Sequence, residues 1–358
     1  MARGHAMKLR RTKWVGALLC LALAAGCGKH DNETKSGPIR IGFSMDSLQL
    51  ERWKRDRDIF VEKAKELGAD VMVQSAEGND AAQVQQSENL LTEGVDVLVV
   101  VPHNGEIAAS IVESAKRQHV PVLSYDRLIR NSDVDFYISF DNVRVGEMQA
   151  KYLLDRAPKG NYILIGGAPT DNNAHLLRQG QMSILQPAID PGDIRIVADQ
   201  WSKDWLPNEA LAHTENALTQ NHNDVVAVVA SNDSTAGGAV QALDEQKLAG
   251  KVLVSGQDAD LAACQRIVDG TQSMTVYKPI APLASRAAEI AIELAKRESV
   301  QSNGTVNNGL KDVPSYLLEP VVVDKSNMAQ TVIKDGFLRE QDVYRDLPRD
   351  KWPKIPGN

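Results

Sequence analysis

Side chains suited to holding a polyhydroxylated ligand recur just after apolar runs along this chain. "IRIGFSM" is followed by Asp46, Ser47, Arg52 and Trp53, and "VPVLSY" by Asp126 and Arg127. "NYILIGGAPT" leads to Asp171, Asn172 and Asn173, and "IRIVADQ" to Trp201 and Trp205. "DVVAVVAS" precedes Asn232 and Asp233, "KVLVSGQ" precedes Asp258 and Asp260, and "SMTVY" precedes Lys278. A carboxylate accepts from neighbouring hydroxyls, Arg and Lys donate to hydroxyl oxygens, and an amide does both. An indole face packs on the apolar C–H face of a sugar ring while the donors and acceptors fix stereochemistry. Charged hydrogen bonds of this kind contribute about 1.5–3 kcal/mol each when buried.

Each residue also has a plainer role. Asp, Ser and Asn between strand and helix cap helices, which would account for Asp46, Asn172 and Asp233 taken singly. Arg52 is spaced to pair with Asp56 along a helix. Trp205 would serve as core packing and Lys278 as a solvated loop charge. Capping does not explain why Arg, Lys and Trp return at the same kind of position.

Catalytic signatures are missing. No G-x-G-x-x-G follows the first apolar run, and no P-loop or G-x-S-x-G elbow is present. The seven histidines form no H-x-x-x-H pair or Cys/His cluster, so no metal or cofactor is expected. His103 and His175, at strand ends, are expected to face solvent or cap helices. Asp258 and Asp260 would be an acid/base pair only in a glycosidase-like site, a minor reading without a defined nucleophile.

The elements that position these residues alternate. Strand-like runs at 39–45, "DVMVQSA", "DVLVVVP", "VPVLSY" and "FYISF" are separated by helical stretches at 51–67, 80–92 and 105–118. The alternation restarts with a helix at 143–156 and the strand "NYILIGG". It continues to a long amphipathic helix at 280–296 and a last strand at 315–324. Strands apolar throughout and alternating with helices imply parallel sheets covered on both faces, here two doubly wound α/β lobes. In such folds ligands sit beyond the carboxyl ends of strands.

At 358 residues the chain suits two domains. Its start reads as targeting: a basic head "MKLRRTKW", an apolar run "VGALLCLALAA" too short to span a bilayer, then Leu23 to Cys27. That segment, "LAAGC", is similar to the lipobox of bacterial lipoproteins, which makes Cys27 the expected lipidation site. Residues 1–27 are therefore a signal with its lipobox, and the polar stretch 28–37 a tether. Without residues 1–26 the chain keeps 35 Lys and Arg against 47 Asp and Glu, a net of −12, which argues against nucleic acid. Only Cys264 remains besides Cys27, so no disulfide is expected within the fold.

Several stretches carry a family resemblance: "LERWKRDRDIF", "YDR", "FYISFDN", "PTDNNAHL", "WLPNEAL", "VVASNDSTAGGAVQAL", "SGQDADL", "GTQSMTVYKP" and "NNGLKDVPS". Over residues 38–340 the chain resembles the periplasmic sugar-binding proteins of ABC importers, ribose/galactose type. The resemblance implies the type I periplasmic binding protein fold, with two lobes joined by three crossings and sugar held between them. The crossings would fall near Asp141–Asn142, Tyr277–Pro279 and Asp312–Pro314. The first lobe would be 38–142 plus 279–312 and the second 143–278 plus 313–341. Position by position, the implied sugar contacts are Arg52, Asp126, Arg127, Asn173, Trp205, Asn232, Asp258 and Lys278. The implied ligand is D-xylose or a related monosaccharide; the implied partners are an ABC permease and ATPase. Residence would be periplasmic, as a monomer, with a lipid anchor through Cys27 that departs from the soluble family pattern. The segment 342–358, with prolines at 348, 353 and 356, is expected to be a loose tail. A sensor that presents the sugar to a membrane receptor or kinase is the alternative. A repressor effector domain is discounted, because a signal segment occupies the place of a DNA-reading helix-turn-helix.

Overall fold

The structure, a computed structural model, describes residues 37–353. Its first half follows the alternation: β1 (Ile39–Met45), α1 (Glu51–Glu66), β2 (Ala69–Ser75), α2 (Asp80–Thr92), β3 (Val97–Val100), α3 (Ala109–Arg117), β4 (Val122–Tyr125) and β5 (Phe136–Phe140). The chain continues through α4 (Asn142–Leu154), β6 (Gly160–Gly166), α5 (Asn172–Ile189), β7 (Ile194–Trp201), α6 (Pro207–Gln220) and β8 (Ala227–Ala230). Then come α7 (Asp233–Glu245), β9 (Leu253–Val254), α8 (Leu261–Asp269), β10 (Thr275–Tyr277) and α9 (Ile280–Ala295). The last elements are β11 (Gly304–Asn307), β12 (Asp312–Leu318), β13 (Val321–Val323) and α10 (Glu340–Val343).

The strands form a seven-stranded sheet in the order β11-β12-β5-β4-β3-β1-β2 and a four-stranded sheet in the order β7-β6-β8-β9. A two-stranded antiparallel pair, β10 with β13, stands apart. All pairings in the two larger sheets are parallel except β11 with β12. β3, β4, β5 and β8 are buried from end to end, as strands covered on both faces must be. Apolar clusters fill both faces. Phe43, Phe60 and Leu283 lie on one side of the larger sheet, and Leu98, Ile111 and Val313 on the other. Ile163 with Val228, and Tyr162 with Val229, do the same for the smaller sheet.

Helix α1 forms where Trp53, Phe60 and Ala64 share one buried face. Helices α4 and α5 pack with their backbones close together, because a Cβ at Gly146 would run into the Leu177 carbonyl and one at Gly180 into that of Val143.

Two expectations about boundaries change. The third crossing does not fall near Asp312–Pro314. Strand β12 pairs in parallel with β5 from Ser315 to Leu318, so the chain leaves the larger sheet only at Glu319–Pro320. Val321–Val323 then pair with β10. The second correction concerns 342–358, whose described part packs. Val343 and Tyr344 are buried in a cluster with Ile267 and Val332, and Trp352 lies against it. The apolar surface of these residues outweighs the chain-breaking effect of Pro348 and Pro353. Cys27 and the signal lie outside the described residues. Among the described residues, no helix is long and apolar enough to cross a membrane.

Candidate functional site

All eight residues singled out from the sequence line one cavity. It lies where the ends of β1 and β4 and the start of α1 face residues that follow β6, β7, β8 and β9.

On the larger-sheet side, Arg52 sits in the first turn of α1 and is 3% exposed. Its guanidinium donates to Asp126 at 2.9 Å, to Asp258 at 3.3 Å and to both oxygens of Asp56 at 3.2 and 3.3 Å. Asp56 also accepts from the Tyr125 hydroxyl at 2.5 Å. The helical pairing of Arg52 with Asp56 therefore exists, and it leaves Nη1 for Asp258 while Nη2 also reaches Asp126. Arg127 donates to Asp46 at 2.7 Å and pairs with Asp171 at 2.9 Å. Both guanidinium groups lie near the Trp53 ring, 4.4 Å and 5.3 Å from its centroid. Asp126 has a left-handed backbone, φ 59°. Its carbonyl accepts from Tyr137 at 2.8 Å and from Ser139 at 2.6 Å, which holds the carboxylate toward the cleft.

On the other side the groups are held mainly by helix starts and unusual backbone. Asp171 caps α5 by accepting from the Asn173 N–H at 2.9 Å, and Asn173 Nδ2 donates to the Asp126 carbonyl at 3.0 Å. Asn232 makes a capping box with Thr235 and still lines the cavity. Asp204 and Trp205 are consecutive left-handed residues, φ 51° and 60°, uncommon for non-glycine residues. That turn swings the Trp205 indole under the cavity, where Nε1 donates to Asp171 at 3.2 Å. A Cβ at Gly167 would overlap the six-membered ring of Trp205, so only glycine leaves the indole in place there. Asp258, φ 96°, presents its carboxylate to Lys278 at 3.1 Å as well as to Arg52.

Burial alone would depress the Arg52 pKa, but Asp126, Asp56 and Asp258 raise it well above its ordinary value. Burial pushes Asp126 up, and the cations Arg52, Lys278 and Arg127 outweigh it, so its carboxyl stays below the usual range. Burial keeps Asp56 and Asp171 above their ordinary values, despite Arg52 and Arg127 respectively. The cavity thus presents fixed charges already paired within the protein. A neutral polyol can enter such a lattice by accepting from the cations and donating to the carboxylates, with no net charge transferred.

The plainer roles fall differently from expectation. Asp46, Asn172 and Asp233 do not provide the caps: Asp46 pairs with Arg127, Asn172 accepts from Arg130 at 2.6 Å, and Asp233 accepts from Gln272 and Thr275. The caps sit one residue earlier in two cases, at Asp171 and Asn232, since the cap precedes the first helical residue. Asp258 and Asp260 line different cavities and do not face a common reacting atom. His175 is exposed, as expected, whereas His103 neither caps a helix nor points freely to solvent. His103 is bonded to two carboxylates, and the His175 ring lies tilted against Trp201 with centroids 4.9 Å apart.

Trp53, Asp171, Gln257 and Leu50 also line the cavity and were not among the eight. The signal for Trp53 was its place beside Arg52 in a chain with 5% aromatics. Gln257 had none beyond its place next to Asp258. Trp53 Nε1 and Gln257 Oε1 are buried without a protein hydrogen-bond partner, and a ligand hydroxyl would satisfy both.

Residues 41–299 match the family described as periplasmic binding protein domain. The chain belongs to this family. It is 56% identical over 324 residues to the D-xylose-binding periplasmic protein of Haemophilus influenzae, covering 90% of this chain and 98% of that one. It is 58% identical over 305 residues to the D-xylose-binding periplasmic protein of Escherichia coli, covering 85% and 92%. A carbohydrate transporter solute-binding protein from Chloroflexus aurantiacus, solved with D-glucose, superposes with a TM-score of 0.82 at 32% identity, covering 86% and 98%. These relatives bind solutes and are not enzymes, and the two doubly wound sheets are those of the type I fold in this family. Among the described residues, no group of His, Cys, Asp and Glu is placed to hold a metal.

Proposed function

We propose that this chain captures D-xylose or a closely related monosaccharide outside the cytoplasm and delivers it to an ABC importer. One observation carries the reading. Arg52, Asp126 and Arg127 from one sheet, and Asn173, Trp205, Asn232 and Asp258 from the other, converge with Lys278 on a single cavity. The names of the two relatives above 55% identity agree with it. The sheets act as lobes that swing about the crossings near 141–142, 277–279 and 319–320. Sugar stabilises the closed arrangement because only there do both sides reach it.

The test is calorimetric titration of the purified chain with D-xylose, other pentoses and hexoses. Tight, saturable binding of a pentose, lost in Asp258→Ala, is the expected result. Absence of heat with every sugar would remove the reading. A 33% identical relative is named a multiple sugar-binding periplasmic receptor, which favours the sensor role as second reading. Capture of a permease rather than a receptor by the sugar-loaded protein separates the two. Monomeric state and lipidation at Cys27 belong to the same proposal. Size-exclusion with light scattering and mass spectrometry of membrane-extracted protein check them.

A further inference from the structure

His103 lies outside the cavity, at the rim between the two sheets. It follows β3, and its ring is clamped at both nitrogens. Nδ1 meets Asp80 at 2.7 Å, in the first turn of α2 on its own side. Nε2 meets Asp204 at 3.1 Å, on the opposite side, in the left-handed turn that carries Trp205. An imidazole flanked by two carboxylates satisfies both only as the cation, because the neutral ring has one N–H and must turn a lone pair toward the other carboxylate. The neighbouring backbone also crosses the rim: the Thr170 hydroxyl donates to the His103 carbonyl at 3.4 Å, and the Gly105 N–H donates to the Thr170 carbonyl at 3.1 Å.

From these contacts we infer that His103 is a positioning residue for sugar binding: its protonated ring clasps Asp204 across the rim and favours the closed arrangement. The inference rests on the sugar-capture reading of the cavity. Asp204 is joined to Trp205, so the clasp also fixes the turn that places the indole under the ligand.

The charged surroundings agree. Asp46, at the end of β1, faces the ring from the same wall, and Glu77 lines the adjoining cavity with it. Arg127 also lines that cavity, but its charge is taken up by Asp46 and Asp171. Lys203, next to Asp204, is exposed. Burial lowers the His103 pKa, and hydrogen bonds to Asp80 and Asp204 with the field of Asp46 more than reverse this, leaving it above the ordinary value. Opening removes Asp204 and hence part of that rise. The closed form therefore binds the proton more tightly than the open form. Closure is favoured at low pH and loses this contribution as pH rises through the closed-form pKa.

The test is sugar affinity against pH, from about pH 6 to pH 9, for the unaltered protein, His103→Gln and Asp204→Asn. The sugar itself does not titrate there. Asn tolerates the left-handed backbone of position 204, so this second variant keeps the turn while removing the charge. In the unaltered protein Kd should rise with pH, on the order of tenfold. Both variants should bind more weakly at pH 6 and lose most of the slope. Asp233 and Asp260, whose carboxyls burial also holds high, titrate alike in all three proteins and cancel in the comparison. A flat profile in the unaltered protein, or a slope in His103→Gln equal to that of the unaltered protein, overturns the clasp while leaving sugar capture intact. If no sugar binds, the functional reading falls, and small-angle scattering then decides the clasp. The sugar-free protein should be more compact at pH 6 than at pH 9, and His103→Gln should not be; equal radii in the unaltered protein would overturn it.

Discussion

The two walls of the cavity hold their functional groups by different means. On the larger-sheet wall, Arg52 and Arg127 are fixed by side-chain ion pairs with Asp56, Asp126 and Asp46. On the smaller-sheet wall, Asn232 and Asp171 double as helix caps, while Asp258 and Trp205 are aimed by left-handed backbone. In the first case the residues that would meet the ligand also hold the fold, so binding and stability are coupled. In the second, the side-chain tip is largely separable from what positions it.

Arg52→Ala should break the comparison most visibly. It takes away the cation that three buried carboxylates share, so denaturant unfolding should show a loss of about 3–5 kcal/mol together with loss of binding. Asp258→Ala should cost binding by at least about 100-fold, measured by calorimetry, since two charged partners lose their acceptor. Its effect on unfolding should be less than half that of Arg52→Ala, because Arg52 keeps Asp56 and Asp126. Equal stability losses in the two variants would erase the distinction between the walls. Trp205→Phe, which keeps an aromatic face but removes the bond to Asp171, should weaken binding by about 1 kcal/mol at nearly unchanged stability. Tyr125→Phe should do the converse: about 1 kcal/mol of stability lost with its bond to Asp56, and sugar affinity close to unchanged. Acid should cost the larger-sheet wall stability through Asp126. Asp126 is depressed in the folded state, so its stabilising contribution is complete above the unfolded value near pH 4 and is lost as pH falls below it. Asp126→Asn should flatten that part of the stability curve.

The sheets were legible because apolar runs bounded by Gly, Asp and Asn leave little choice of element. The cavity wall was legible because side chains after parallel strands gather at one edge. The order of caps was not: Asp171 and Asn172 both follow the same strand, and only the first helical residue decides which one caps. β12 was assigned to the wrong side of the crossing, since "VPSYLLEP" reads equally well in either sheet until its partner, β5, is known. The clasp at His103 was invisible for a similar reason. Asp80 and Asp204 are 23 and 101 residues away from it in sequence, and no local spacing announces a contact made across a groove.

Gly167 carries a last consequence. Its missing side chain is what lets the Trp205 ring lie flat beneath the cavity. The depth of the binding space is therefore governed from behind, by a position with no atom on its surface. Redesign aimed at larger or smaller sugars has a dial there: a methyl at 167 would lift the floor and favour the smaller guest.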